Sequence, residues 1–367
     1  MRACSKHLKK GGVYLLFFAC LVNHPAFGNN HPSYFIQSFS ESYSEIAPIK
    51  QTLNNLKGPE ISKGEVIYSR NHFEMGRNIF LPTYGLSIAF ISRRNYFLNF
   101  THDTARFIYK QENDLDTGKN DTYDIHLTAN NLTANGLRIG LFSSVKNTFK
   151  YSIGLSLLRG TNMTTGSLQG YVDSRNERID GQLVLNYQFT DDVFFGRESS
   201  TALGYGFALD TTLEWHCLSR LTLTLEAEDL VSFLEWHNQH DTQATASTDT
   251  TQQTAAGGRI INPVLSWQET HQRTQQHLPV NVNISQAYAL TPYDTLVLAQ
   301  KIKEDFVSYS FGYERIIATT HWGVHYDWVT QGLSLAVSKD RYSLELGLDH
   351  LNYAEAQTAN LSFTVEI

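Results

Sequence analysis

Three ionisable residues near the C-terminal end of the chain stand at positions of the same parity. His321, His325 and Asp327 would lie on one face of a β-strand, where imidazoles and a carboxylate could bind a divalent cation. Residues two apart on a strand are about 7 Å apart, so such a pair holds one ion only with help from a neighbouring strand. The simpler interpretation is a polar lining, and we predict no metal site here.

Two carboxylates, Glu226 and Glu228, also share one face of a predicted strand. If they point into a channel, they could form a constriction that attracts cations. Alternatively, they are solvated charges balanced across the interior by a basic residue such as Lys301 or Arg315. Glu345 lies on the polar parity of a later strand. We predict that these carboxylates and the three residues above line a lumen.

No group of residues in the sequence forms a recognisable catalytic centre. The G-x-S-x-G motif of serine hydrolases is absent. Asp349 and His350 are adjacent, so their side chains would project to opposite faces of one strand and could not form a dyad by themselves. We therefore predict that the chain is not an enzyme and requires no cofactor.

The elements that would position these residues are strands with two different faces. From Asp305 to Ile367, one parity is apolar and the other is small or polar. In one run, Tyr342, Leu344, Leu346 and Leu348 alternate with Ser343, Glu345, Gly347 and Asp349. Such alternation is typical of strands with one apolar face and one wet face. Because Gly, Ser, His and Asp recur on the wet face, the pattern favours a membrane barrel over a soluble sandwich.

Similar alternation runs through most of the chain from Tyr84 onward. Tight turns are predicted at Ser92–Arg94 and at Ala134–Gly136. About seventeen candidate strands can be counted, but bacterial single-chain barrels have an even number of strands. We predict an all-β fold, a transmembrane antiparallel β-barrel of 14–16 strands with a short N-terminal helical or plug segment.

The N-terminus has the features of a secretory signal peptide over residues 1–28. Four basic residues precede an apolar run from Val13 to Val22, and small residues follow at 26–28. Ala19-Cys20 resembles a lipid-attachment site, although Phe17 and Phe18 fit that site poorly. We expect export through a cleaved signal peptide to the outer membrane of a Gram-negative bacterium.

The amino-acid composition excludes further classes of protein. Removal of the signal leaves 25 basic and 36 acidic residues, a balance that argues against nucleic-acid binding. Cys217 is then the single cysteine, so no intramolecular disulfide can form. After the signal, no apolar run reaches the roughly 18–20 residues that a membrane-spanning helix requires, and an exported chain with alternating strands would enter a membrane as a closed barrel.

Two regions interrupt the strand pattern. Apolar residues at helical spacing between Ser44 and Leu56 predict that residues 29–63 form a periplasmic or plug segment preceding a barrel at 64–367. Residues 237–258 are rich in Thr, Gln, Ala and Asp and cannot pack a core. We therefore predict a long external loop at about 235–277, in which Ile260–Trp267 could be a strand extension or a loop hairpin.

Two stretches resemble outer-membrane proteins of the long-chain fatty acid transporter superfamily, including its type IX secretion and conjugal-transfer-associated branches. They are TLEAEDLVSFLEW from Thr224 to Trp236, and the ending Leu346–Ile367 with Leu351-Asn352-Tyr353-Ala354 before the last strand. The resemblance covers roughly the C-terminal 150 residues, and Ile367 departs from the aromatic C-terminal residue common in outer-membrane barrels. It implies a barrel of about 14 strands, often with an N-terminal segment inside it.

The expected function is passive passage or uptake of a small molecule, apolar if the resemblance holds. The alternative is a non-conducting scaffold for surface assembly, secretion or adhesion, with the loop at about 235–277 as its partner surface. The expected partners are outer-membrane lipid, a small-molecule solute and, for the scaffold, a surface or periplasmic protein. Bilayer conductance separates the two functions.

Overall fold

A computed structural model of the chain describes residues 33–117, 121–145, 148–174, 180–191, 202–248, 251–253, 259–261 and 264–367. The predicted signal peptide at 1–28 and the candidate lipidation site at Cys20 lie outside these residues. Neither of the two helices that the structure describes is long and apolar enough to cross a bilayer.

The described residues form eighteen strands and two short helices. In chain order these are β1 (Ser33–Ser44), α1 (Ile49–Thr52), β2 (Val66–Phe80), β3 (Gly85–Phe100), α2 (His102–Glu112), β4 (Thr122–Val145), β5 (Phe149–Asp173), β6 (Asp180–Phe189), β7 (Gly204–Leu218), β8 (Leu221–Ser247), β9 (Thr251–Gln253), β10 (Arg259–Ile261), β11 (Val264–Gln276), β12 (Asn281–Ala289), β13 (Asp294–Lys303), β14 (Phe306–Ile317), β15 (Thr320–Asp327), β16 (Leu333–Lys339), β17 (Tyr342–Leu348) and β18 (Thr358–Glu366).

Fourteen of these strands form one closed antiparallel barrel. The barrel runs through β1 to β5, then β7, β8 and β12 to β18, and β18 pairs back with β1 in a register that sets Phe35 opposite Glu366. Closure leaves the barrel wall without a free edge, which a membrane-spanning sheet requires. The predicted fold class and the predicted range of 14–16 strands are confirmed.

The two ends of the barrel differ. At one end, which we call the turn end, short connections such as 219–220 and 340–341 join the strands, and the N–H of Tyr34 donates to the carbonyl of Ile367. The opposite end, the loop end, carries both helices and the longer connections. In barrels of this kind the short turns face the periplasm and the long loops face outward.

The wall is also much taller on one side. We call β3, β4, β5, β7 and β8 the tall wall, because its strands are 15 to 27 residues long, and β12 to β18 the short wall, because its strands have 7 to 12 residues. Toward the loop end, β6 fills the space between β5 and β8, and β11 pairs with the far half of β8.

The apolar residues of the short-wall strands face outward, and their side chains are exposed. Leu344 is 46% exposed and Leu335 is 56% exposed, whereas Ser343 on the opposite face of β17 is 2% exposed. Leu344 pairs with Phe363 across β17 and β18, so the apolar side chains form a continuous band around the outside. A band of this kind would be unfavourable in water, but it suits lipid.

On the tall wall, the outward-facing side chains are exposed in one part of the wall and covered by protein nearer the loop end. Leu137 of β4 is 56% exposed, whereas Tyr123, on the same face nearer the loop end, is fully buried against Phe107 of α2. Thr101 caps α2 by accepting a hydrogen bond from the N–H of Thr104, which fixes where the helix starts. Protein rather than lipid therefore covers this face beyond the membrane.

Within the predicted N-terminal segment at 29–63, the apolar spacing between Ser44 and Leu56 corresponds to the short helix α1, but the first described residues belong to the barrel. Ser33–Ser44 is a barrel strand that pairs with β2 and β18, and residues 45–63 pack at the loop end, where Ile46 joins a cluster with Phe100 and Ala105. The alternation signal failed because β1 carries Phe35 and Phe39 on its inward face and a run of serines on its outward face.

Two further predictions are corrected. Most of the predicted external loop at about 235–277 is strand, since β8 extends to Ser247 and β11 begins at Val264. The predicted turns at Ser92–Arg94 and Ala134–Gly136 lie within β3 and β4. Polar strands beyond the membrane contact water on their faces, so they lack the apolar parity that identifies a lipid-facing strand.

Candidate functional site in the barrel lumen

Ten charged side chains converge in the lumen, about halfway along the wall. We call this group the ionic layer. Its members are Glu41 on β1, Arg70 and Glu74 on β2, Arg93 on β3, Arg138 on β4, Asp210 on β7, Glu228 and Asp229 on β8, and Lys301 and Lys303 on β13.

Arg93 lies at the most buried part of the ionic layer, with its side chain 3% exposed. Its guanidinium donates to Asp229 and lies 3.3 Å from the carboxylate of Asp210. Arg138 joins the same group, 3.3 Å from Asp210 and 3.1 Å from Glu74. Buried charges are tolerated only when they are paired in this way, because removal from water costs several kcal/mol per ion.

A second part of the layer joins nearly opposite walls. Glu41 on β1 contacts Lys303 on β13, and the Nζ of Lys301 lies 3.5 Å from the same carboxylate. The Nζ of Lys303 is also 3.9 Å from the ring centroid of Tyr68. Since β1 and β13 are six strands apart around a fourteen-stranded barrel, this contact crosses the lumen.

Aromatic side chains close the lumen next to that contact. The ring of Phe306 on β14 lies 5.0 Å from the ring of Tyr43 and 5.6 Å from that of Tyr68. Arg70 on β2 pairs with Glu228 on β8 across another line of the lumen. The interior of the barrel is therefore bridged by side chains along two lines.

The lumen beside the tall wall is filled by a dry group of side chains, which we call the apolar cluster. Its members are Ile91, Leu132, Ala134, Leu158, Met163, Ala208, Leu234, Trp236 and Leu278. Trp236 is fully buried, and its indole N–H donates to the side chain of Gln276 at 3.1 Å. That bond satisfies the one polar group of the indole, as burial requires.

A cavity of about 600 Å³ occupies the remaining lumen. It is bordered by the short wall, by β1 and β2, and by the turn-end parts of β4, β5, β7 and β8. Its lining extends from Glu314 and Glu366 near the turn end to Thr330 and Gly332 near the loop end. Aromatic side chains, including those of Phe35, Phe39 and Phe142, also border it. A space of this size and mixed lining is suited to a small molecule.

Five of the six lumen residues singled out from the sequence border this cavity. Glu226 accepts a hydrogen bond from Asn283 at 3.0 Å, and Glu345 accepts one from Asn360 at 3.2 Å. Glu228 pairs with Arg70, and His325 lies 3.5 Å from Glu314. Asp327 accepts hydrogen bonds from the N–H groups of Val329 and Thr330, so it also fixes the turn that follows β15.

The sixth residue, His321, is exposed near the start of β15 and does not border the cavity. It is four positions from His325, a separation of roughly 13 Å on a strand. Among the described residues, no group of three or more His, Cys, Asp or Glu side chains is placed to hold a metal ion.

The charge balance proposed from the sequence is also corrected. Lys301 contacts Glu41 rather than Glu226 or Glu228, and Arg315 lies on the outer face of β14, 3.7 Å from Asp294. Arg93, the most buried base of the layer, had been assigned to a turn. Its partners are 117 and 136 residues away in sequence, so no local pattern could identify it.

A closed barrel, a bare apolar band outside and a charged lumen with a cavity together define an integral membrane β-barrel. No protein-family model and no curated protein matches the chain.

Solved structures resemble the fold. The TodX deltaS2S3 mutant monoaromatic hydrocarbon channel has a TM-score of 0.47 at 8% identity, over 93% of this chain and 90% of that chain. The Pseudomonas putida toluene transporter TodX has a TM-score of 0.44 at 6% identity, over 95% and 93%. A Pseudomonas aeruginosa FadL homologue has a TM-score of 0.38 at 8% identity, over 91% and 89%.

At such low identity and TM-score, the likeness does not determine what enters the lumen.

Proposed function

We propose that this protein is a passive channel of the outer membrane of a Gram-negative bacterium, which admits a small, partly apolar molecule to its lumen. The observation that carries the proposal is the cavity of about 600 Å³, whose lining extends from Glu366 near one end of the barrel to Thr330 near the other. The ionic layer and the apolar cluster fill the rest of the lumen, so a solute would pass along the short wall.

The lining suits a molecule with both polar and apolar parts. Phe35 and Phe39 of β1 supply aromatic surface, while Ser334 and Asn360 on β16 and β18 supply hydrogen-bonding groups. Polar groups of this kind replace the water that a solute loses on entry, and the rings contact its apolar part.

Liposome swelling with small neutral solutes tests the proposal. We expect the folded protein to make liposomes permeable. Ser334→Trp should reduce that permeability, because the indole would occupy the cavity. Leu335→Trp is the matched control: the next residue of β16 faces outward, where an indole is tolerated, so permeability should stay the same.

The alternative function, a non-conducting scaffold, predicts a different result. Folded protein that leaves liposomes impermeable would overturn the channel proposal, and so would equal swelling with Ser334→Trp and the parent chain. Folding is checked independently by heat-modifiable gel migration of each variant.

A further inference from the structure

The charges that border the cavity are unbalanced. Among the residues that the structure describes, ten Asp or Glu side chains line it, against four Lys or Arg side chains. A lumen wall of one sign raises the local concentration of ions of the opposite sign, because the low-dielectric wall focuses the field.

The basic side chains that border the cavity already have partners. Arg70, Arg138, Lys301 and Lys303 all belong to the ionic layer, where each contacts a carboxylate. Strands β14 to β18 of the short wall differ from β13, which carries Lys301 and Lys303: within residues 306–367, all of which are described, the cavity lining holds four acidic residues and no Lys or Arg. These four are Glu314, Asp327, Glu345 and Glu366.

Two buried hydroxyl groups lie on the inward face of the same wall. Ser343 is two positions from Glu345 on β17, and Ser362 pairs directly with Glu345 across β17 and β18. Both serines are 2% exposed, and neither hydroxyl oxygen has a hydrogen-bond partner. Unpartnered buried oxygens are uncommon. Each hydroxyl can donate one hydrogen bond and accept others, so the two serines add uncharged polar groups beside the carboxylate.

The side-chain ammonium group of Lys303 shows how the lumen binds a cation. The Nζ of Lys303 contacts the carboxylate of Glu41 while it lies 3.9 Å from the ring centroid of Tyr68. Carboxylate and aromatic ring act together on this cation. The cavity has a second carboxylate at Glu345 on the short wall, whereas the ring of Phe39 on β1 already has the guanidinium of Arg70 at 5.1 Å from its centroid.

We propose that the channel prefers cations, including ammonium groups attached to an apolar body, and that Glu345 on the short wall is a main determinant of this preference. The inference rests on the proposed channel function and specifies its solute class. Cations would move along the acidic wall, and anions would be repelled from it.

Reversal potentials of the reconstituted protein under a KCl gradient test the inference. We expect potassium to be more permeant than chloride, and Glu345→Gln to lower the permeability ratio by about twofold. Glutamine keeps the side-chain shape and an acceptor for Asn360. Glu314→Gln is a second variant for the same readout. Asp340→Asn is the control, because Asp340 lies in the exposed turn between β16 and β17, outside the lumen.

The substrate class is tested by replacing KCl with benzyltrimethylammonium chloride. We expect the organic cation to carry current, and the preference for cations to weaken in about 1 M salt, where charges are screened within about 3 Å. Equal permeability of both ions, a preference for chloride, or a ratio unchanged by Glu345→Gln and by Glu314→Gln would overturn the inference and leave the channel standing. A folded protein that passes no ion and no solute would overturn the channel itself.

Discussion

The short wall and the tall wall enclose one lumen but are built from strands of different length. A tilted strand needs about 9–11 residues to cross a bilayer, and the strands of the short wall, with 7 to 12 residues, are close to that requirement. β4, β5 and β8, with 24 to 27 residues, extend well beyond it. The additional length of these three strands is therefore not needed to span the membrane.

The side chains inside the lumen show what the longer strands provide. Inside the tall wall, the apolar cluster and the buried part of the ionic layer fill the space. Along the short wall, small and acidic side chains leave the cavity open. If the proposed channel function holds, stability depends mainly on the side chains inside the tall wall and passage on those that border the cavity, so substitutions in the two groups should have different consequences.

The largest loss in the free energy of unfolding is expected for a substitution in the apolar cluster. Trp236→Ala should lower the free energy of unfolding by about 4 kcal/mol, because it leaves a cavity and removes the hydrogen-bond donor to the Oε1 of Gln276. Trp322→Ala, on the bare outer face of β15, should cost clearly less. Urea unfolding in lipid vesicles measures both. Equal losses would show that the tall wall is no better packed than the lipid-facing surface.

The ionic layer should show the next largest effect. Arg93→Met should cost about 3 kcal/mol, because Asp210 and Asp229 would remain buried with one less cation. Lys301→Met should cost less than about 1 kcal/mol, since Lys301 is partly exposed to the cavity and Glu41 keeps Lys303. Unfolding midpoints of the two variants test the difference, and a reversed order would contradict it.

An arginine substituted on the outer face should destabilise the fold more, the deeper it lies in the lipid. Leu346→Arg, within the bare band of β17, should cost about 2–3 kcal/mol. Tyr342→Arg, at the turn end of the same strand, should cost less than about 1 kcal/mol, because an arginine there reaches water. The same unfolding assay in vesicles applies. Equal costs would mean that the band does not contact hydrocarbon.

The smallest effect is expected at the loop end, outside the membrane. Hydrogen bonds from Lys110 and Arg106 lower the pKa of Asp121 to about 2. A carboxyl with a lowered pKa stabilises the fold above its unfolded pKa, and that contribution is lost as the pH falls through the folded value. The protection factors of amides in α2, which correct for the intrinsic exchange rate, should therefore fall slightly between about pH 4 and pH 2.

The control for this prediction is Asp121→Asn, which should remove the acid dependence of α2. Because the carboxylate is solvent-accessible, the global unfolding midpoint should hardly change in the variant. Acid dependence that persists in the variant would show that other carboxyl groups control the helix.

The sequence was sufficient to predict the barrel where lipid imposes the pattern. Strands such as β16 and β17 alternate because one face meets hydrocarbon and the other meets the lumen. β1 was missed because its inward face carries Phe35 and Phe39, which border the cavity. β11 and the far half of β8 were assigned to a loop because neither face meets lipid there.

The candidate site was predictable only in part, for a related reason. Glu226, Glu345 and Asp327 could be assigned to the inward face from parity alone. Their partners could not, since contacts across a lumen join residues far apart in sequence. Arg93 illustrates this, because its nearest carboxylates come from β7 and β8. Trp236 falls at the start of the predicted loop at about 235–277, although it is a fully buried member of the apolar cluster.

Site-directed spin labelling along β17 tests the central account most directly. Single cysteines at positions 342–348, in a Cys217→Ser background, would carry the label in vesicles. We expect oxygen, which partitions into lipid, to reach positions 344 and 346, and a water-soluble nickel complex to reach position 345, in opposite phase with a period of two. Labels at 344 and 346 that are protected from both reagents, with 345 accessible to nickel, would place the leucines in a dry protein core and contradict the membrane barrel.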